Sequence, residues 1–416
     1  MSTTLIKSYL EKLRTWGAKG AWDYAVATLR NRTIQRQLIV SIDRNAKTPT
    51  RGITIVAPLG GGNSLCKVMR DFAFNLKALG VPFQTFDLSE KRSVPDEDIE
   101  PILTPRNQFN LLKYDHILEM FSAPLPDDLP VRRSRIIFWE FESGLVEYDN
   151  SLDNKREAIG MSDFDVKVFR SLLAPGTPVR KIPYPFHFEA TDLPPVADIR
   201  KHFGIASDDF MVFFNFDFNS SFHRKNPDGA IKAFAEAFRA VPHAKLIFKT
   251  MGAKNHPDKL ANLHALAREL GVSDQFITIT DYLPQHDLCG LTNACDVYLS
   301  LHRGEGFGLG IAEAMSLGKA VITTDYSAPT EFCTPENSIP IPFTMTPVES
   351  WQVDNKSYRF VKEWAEPDIS EASKALRRLY DSPELRAKLG TAARQTIASA
   401  FSLDKFKTAI DDYLRV

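Results

Sequence analysis

Two glutamates and a basic pair carry the chemistry this sequence can perform. Glu305 and Glu313 lie eight residues apart in SLHRGEGFGLGIAEAM. A carboxylate only accepts hydrogen bonds, so it suits the hydroxyls of a sugar or a ribose. The spacing suits two contacts on one extended ligand, not two groups sharing a proton. Arg224 and Lys225, in HRKNP, stand between the end of an apolar strand and a helix start. Cations there can stabilise the charge that builds on a departing phosphate. His302 and Arg303 precede Glu305 and can line the same pocket.

The elements around these residues follow an α/β rhythm. The apolar run 297–299 reads as a buried strand, and Gly304, Gly306, Gly308 and Gly310 follow at alternate positions. Glycine lets a backbone turn at positive φ and approach a ligand closely. Residues 311–317 read as a helix closed by Gly318, and 320–323 as the next strand. In such a unit a ligand sits beyond the strand's carboxyl end, and the helix N-terminus offers N–H groups to an anion. Upstream, strands are predicted at 211–216, 245–250 and 276–280. Helices are predicted from Asn226-Pro227 onward, at 257–270 and at 284–294. Alternation of this kind predicts a doubly wound parallel sheet.

The first half opens the same way. Residues 52–57 (GITIVA) read as a strand, followed by a turn with Gly60, Gly61 and Gly62. Asn63 or Ser64 can cap a helix that runs to Leu79, and 83–88 is the second strand. The GGGN turn fits neither a dinucleotide fingerprint nor a P-loop. A short strand is expected near His116, and a buried strand over 135–142, RIIFWEFE. The proline-rich stretch 181–195 reads as a linker.

SLHRGEGFGLGIAEAM, with the GKAVITTDYSAPTEF that follows it, resembles the Glu-x7-Glu signature of retaining, nucleotide-sugar-dependent glycosyltransferases of family 4, the group 1 family. The resemblance runs from about residue 52 onward and is most specific in the second half. It implies a GT-B fold: two Rossmann-like, doubly wound α/β domains facing across a cleft. The expected divisions are a helical N-terminal extension (1–50), an acceptor-side domain (51–185), a nucleotide-sugar-binding domain (186–397) and a helix crossing back (398–416). By this resemblance Glu305 contacts the donor sugar and Glu313 holds the ribose. Gly306, Phe307, Gly308 and Leu309 turn backbone N–H groups toward sugar and phosphate. Lys225 matches one of the family's basic residues. Asn219 stands where the family's arginine is usual, so Arg224 is its substitute. The turn with Gly61 and Gly62 faces the donor phosphates. RIIFWEFE is similar to a WxWE-type strand of one branch, which makes Glu140 the acceptor-side candidate. Residues 163–171 look like the sensor strand and serine turn. No histidine matches the family's acceptor-side position; His116 is the nearest.

The resemblance implies transfer of a sugar to a glycan or lipid-linked acceptor in cell-surface polysaccharide synthesis. A nucleotide-sugar epimerase on the same fold and a non-catalytic nucleotide-sugar binder are the alternatives. No DxD motif ends a strand, so no obligatory metal and no cofactor besides the donor are expected.

Composition agrees with a soluble enzyme: 416 residues, 44 % hydrophobic, 25 % charged, net charge −1. That balance gives no case for nucleic acid, and no apolar run spans a bilayer. Cys66, Cys289, Cys295 and Cys333 lack metal-ligand spacing and read as reduced thiols of a cytoplasmic protein. Residues 1–51 hold ten basic against three acidic side chains. A basic amphipathic segment can lie on the inner face of a membrane, so peripheral contact through residues 1–50 is the accompanying expectation. Gly390 and Ser402 are the expected helix breaks near the end.

Overall fold

The computed structural model describes residues 33, 34, 36–38, 41, 49–89, 92–120, 125, 129–145, 156–184, 186, 193–353 and 358–415. Most of the expected N-terminal extension and part of the linker lie outside these residues. The chain divides into two compact units, Met1–Ile136 and Ile137–Val416.

In the first unit four parallel strands take the order β2-β1-β3-β4, with β1 at Thr50–Ala57, β2 at Phe83–Asp87, β3 at Tyr114–Met120 and β4 at Arg132–Ile136. Between β1 and β2 runs α1, Ser64–Ala78, whose first turn is capped where Asn63 Oδ1 accepts from the Cys66 N–H at 3.0 Å. Val56, Phe86 and Ile117 meet Leu38 and Phe109 in one apolar cluster. Parallel strands buried on both faces need such unbroken apolar runs.

Two expectations fail here. The strand expected over 135–142 occupies Arg132–Ile136, and its pairing with β3 ends at Met120↔Ile136. Beyond it, Trp139 and Phe141 leave strand geometry and pack with Val361 and Trp364. The sensor strand expected over 163–171 is a helix, α2 at Asp163–Leu172. Ser162 and Asp165 form a capping box, and Val166, Val168 and Phe169 supply its buried side. The strand of that region is β5, Glu157–Gly160, paired in parallel with β6, Val179–Lys181.

The second unit begins its main sheet after α3, Val196–His202. The sheet's order is β12-β11-β10-β7-β8-β9. Its strands are β7 (Phe210–Asp217), β8 (Ala244–Met251), β9 (Phe276–Ile279), β10 (Val297–Ser300), β11 (Ala320–Thr324) and β12 (Ile339–Ile341). The helices between them are α4 (Phe222–Lys225), α5 (Pro227–Phe238), α6 (Pro257–Glu269), α7 (Gln285–Ala294) and α8 (Leu309–Ser316). All but two lie within a residue or two of their expected places: α4 falls in a stretch expected to be loop, and β12 was not expected. The order reverses direction between β7 and β10, which places a topological switch where their carboxyl ends emerge.

A hairpin follows, β13 (Phe343–Pro347) antiparallel to β14 (Glu363–Pro367). Three helices end the chain: α9 (Ile369–Asp381), α10 (Pro383–Ala400) and α11 (Leu403–Arg415). Ser402 lies at the α10–α11 break, but Gly390 sits inside α10. A Cβ on Gly390 would lie 2.0 Å from the Gly318 carbonyl oxygen, so this glycine serves close packing rather than a break. Among the described residues no helix is long and apolar enough to cross a membrane.

Candidate active site

The site grows from the turn between β10 and α8. Gly308 caps α8 with φ +89°, a left-handed conformation that a side chain would strain. Gly310 is held by contact instead: a Cβ there would lie 2.3 Å from the Tyr298 hydroxyl. That hydroxyl donates to Asn215 Oδ1 of β7 at 2.6 Å. Among the described residues no side chain caps the start of α8. Its first N–H groups therefore have the free donor character of a helix N-terminus.

The loop after β7 is pinned to this turn. The Arg303 N–H donates to the Arg224 carbonyl at 2.8 Å, and Asn226 Nδ2 donates to the Leu301 carbonyl at 2.9 Å. Asn226 itself takes φ +55° and caps α5 through the Gly229 N–H. This brings Arg224, Lys225 and Glu305 together. Lys225 Nζ bonds Glu305 Oε1, and Arg224 Nη1 lies 3.2 Å from Oε2. Arg224 Nη1 also donates to the Gly304 carbonyl at 2.7 Å, and Nη2 to Ser220 Oγ at 3.0 Å. The Glu305 N–H donates to Ser327 Oγ at 2.8 Å.

Burial works against the Glu305 charge, but Lys225 and Arg224 outweigh it and hold its carboxyl at about 2. Burial pulls Lys225 below the ordinary lysine range, with Glu305 resisting. Burial opposes the Arg224 charge as well, but Tyr358, Glu140 and Glu305 overcome it and raise the guanidinium above its ordinary value. The group therefore sets a lysine and an arginine against one carboxylate that stays ionised at neutral pH.

Glu140 joins it. Its Oε1 lies 3.6 Å from Arg224 Nη2, and the Tyr358 hydroxyl donates to Oε2 at 3.1 Å. Burial raises the Glu140 carboxyl; Arg224 lowers it and Glu305 raises it again. Tyr358 belongs to the excursion between β13 and β14 and went unnoticed in the sequence. Nothing in its surroundings there is periodic or charged in a way that points at Arg224.

The other candidates divide. Glu313 lies one turn into α8, 8 % exposed, where Gln285 Nε2 donates to its Oε1 at 3.4 Å. Arg303 turns to the hairpin, donating to Glu366 at 2.5 and 2.8 Å, with its guanidinium 4.9 Å from the Trp364 ring. His302 is fully buried against Thr323 Oγ1, and burial pushes it down to about 3, so it is a neutral support beneath the turn. The Phe307 ring stacks on Tyr184 at 4.4 Å. The Gly306 Cα faces Phe138, and Leu309 opens α8. Gly61 and Gly62 belong to the first unit. Arg70 donates to the Gly61 carbonyl at 2.6 Å, and a Cβ on Gly61 would lie 2.4 Å from Cys66 Sγ.

Asp208, Asp209 and His243 form the one group of metal-ligand types among the described residues. They sit at the amino end of β7, away from the carboxyl ends that carry the basic pair. Asp209 is already engaged, accepting from the Ala206 N–H at 2.9 Å.

Residues 197–339, which hold Arg224, Lys225, Glu305 and Glu313 but not Glu140 or Tyr358, match the family described as glycosyl transferases group 1. The serotype-specific mannosyltransferase WbdA of Escherichia coli is 32 % identical over 111 residues, 25 % of this chain and 13 % of that protein. The chain thus matches about an eighth of that relative's length. Sucrose-phosphate synthase from Thermosynechococcus elongatus superposes with a TM-score of 0.65 at 16 % identity, over 88 % of this chain and 98 % of that one. Anabaena HepE, in complex with UDP and glucose, gives 0.60 at 14 % identity, over 88 % and 99 %. These likenesses show the fold: GT-B, with two Rossmann-like domains.

Proposed function

From the group 1 glycosyl transferase segment at 197–339, we infer that the protein moves a sugar from a nucleotide-sugar donor to a glycan or lipid-linked acceptor. The transfer retains anomeric configuration, needs no obligatory metal and serves polysaccharide synthesis on the cytoplasmic side of a membrane. One observation carries the reading. A buried arginine and glutamate and a half-buried lysine converge where the carboxyl ends of β7 and β10 meet the uncapped start of α8.

A nucleoside diphosphate needs cations as it departs, because charge builds on its terminal phosphate. Arg224 and Lys225 supply them without a metal. Glu305, ionised at any working pH, can only accept, and so binds donor-sugar hydroxyls. Glu313 accepts from the ribose. The N–H groups at the start of α8 add the dipole end that favours phosphate. Glu140 meets the acceptor. The UDP held by HepE and the mannosyltransferase match support a sugar-nucleotide donor.

Thermal-shift measurements with UDP, GDP, ADP and their sugars test this, since a ligand bound only by the native state raises apparent stability. One nucleoside diphosphate and its sugar should raise the melting temperature, and Lys225→Ala should abolish the rise. No shift with any of them would remove the nucleotide reading.

A further inference from the structure

The excursion between β13 and β14 brings a tyrosine onto a carboxylate beside the cationic pair. The rings of Trp139 and Phe141 hold Tyr358 at 5.7 and 5.2 Å, and the residue between them, Glu140, receives its hydroxyl. The W-E-F triplet therefore reads as a socket: two aromatics grip the ring and the central carboxylate takes the O–H. With Oε2 engaged, Glu140 reaches Arg224 only through Oε1 at 3.6 Å, beyond a hydrogen bond. Arg224 stays turned to Gly304, Ser220 and Glu305. Its Nε–H is buried and finds no acceptor among the described residues. A carboxylate released from Tyr358 could close the remaining distance and make a direct, charge-assisted bond to that guanidinium.

We propose that Tyr358 is a positioning residue: it holds Glu140 in a loose, 3.6 Å ion pair with Arg224, short of a hydrogen bond, and so keeps Arg224 available to a nucleoside diphosphate. This rests on the nucleotide-sugar reading above. The charged and titratable groups facing Glu140 are Arg224 and Lys225 from α4, Glu305 from the β10–α8 turn and Tyr358 from the excursion. Asp165 of α2 also feels its charge. Arg224 and Lys225 draw the carboxylate, Glu305 repels it, and the Tyr358 O–H supplies the tether. Because burial raises the Glu140 carboxyl, acid protonates it early and removes the competition.

The test is calorimetric binding of UDP, GDP and ADP to wild type, Tyr358→Phe, Glu140→Gln and the double variant from pH 5.5 to 8.5. Phenylalanine keeps the ring in its socket and removes only the hydroxyl. Tyr358→Phe should weaken binding of the preferred diphosphate by about tenfold at alkaline pH, with the loss fading toward acid pH. In the Glu140→Gln background the same change should cost less than about twofold. A loss that persists in the Glu140→Gln background, or no loss at all, would overturn the proposal. Wild type that binds none of the three diphosphates would instead overturn the nucleotide reading beneath it.

Discussion

Replacing Glu305 by glutamine probes the electrostatic centre of the site. The carboxyl is held at about 2 against an ordinary 4.5. At 1.36 kcal/mol per pH unit, that difference makes its charge worth about 3 kcal/mol to the folded state. Glu305 is only 8 % exposed, so solvent screening reduces this little. Removing one partner of a buried pair typically costs about 3–5 kcal/mol, the same order. The folded-state value is depressed, so the contribution is complete above the unfolded value and is lost as pH falls from 4.5 toward 2. Equilibrium urea unfolding at pH 7 should show Glu305→Gln less stable by about 3 kcal/mol; near pH 3 the gap should narrow to about 1.5 kcal/mol. A gap below about 1 kcal/mol at pH 7, or one that does not change with pH, would refute the reasoning.

Other consequences follow from single contacts. Glu313→Ala should weaken donor binding by about 1.5–3 kcal/mol with the fold intact, as one charged hydrogen bond is lost; unchanged affinity by calorimetry would remove Glu313 from the site. Turnover should survive EDTA if, as proposed, Arg224 and Lys225 carry the phosphate charge; activity lost on chelation and restored by magnesium or manganese would contradict that. Gly390→Ala should destabilise by about 1–3 kcal/mol, since its Cβ would fall 2.0 Å from the Gly318 carbonyl; an unchanged melting temperature would mean that the helices part at no cost.

The strands and helices of the main sheet were legible because apolar runs such as 211–216 and 297–299 are bounded by glycine, proline and capping residues. The pairing of Glu305 with Lys225 and Arg224 was approachable, since both segments follow strands that end on the same side of a parallel sheet. Burial inverted other readings. His302 and Arg303 adjoin Glu305 in sequence, yet one lies beneath the turn and the other points to Glu366. The apolar stretch at 163–171 has helical spacing once Ser162 and Asp165 are recognised as a capping box. Tyr358 reaches Glu140 across 218 residues of chain, a contact no local pattern encodes.

The most direct measurement of the central claim is release of nucleoside diphosphate from a panel of nucleotide sugars, followed by mass spectrometry with a mixed glycan and lipid-linked acceptor pool. The account predicts that one donor is consumed, that its sugar appears on an acceptor, and that Lys225→Ala abolishes both. Consumption of no donor, or equal consumption by the Lys225→Ala protein, would contradict it.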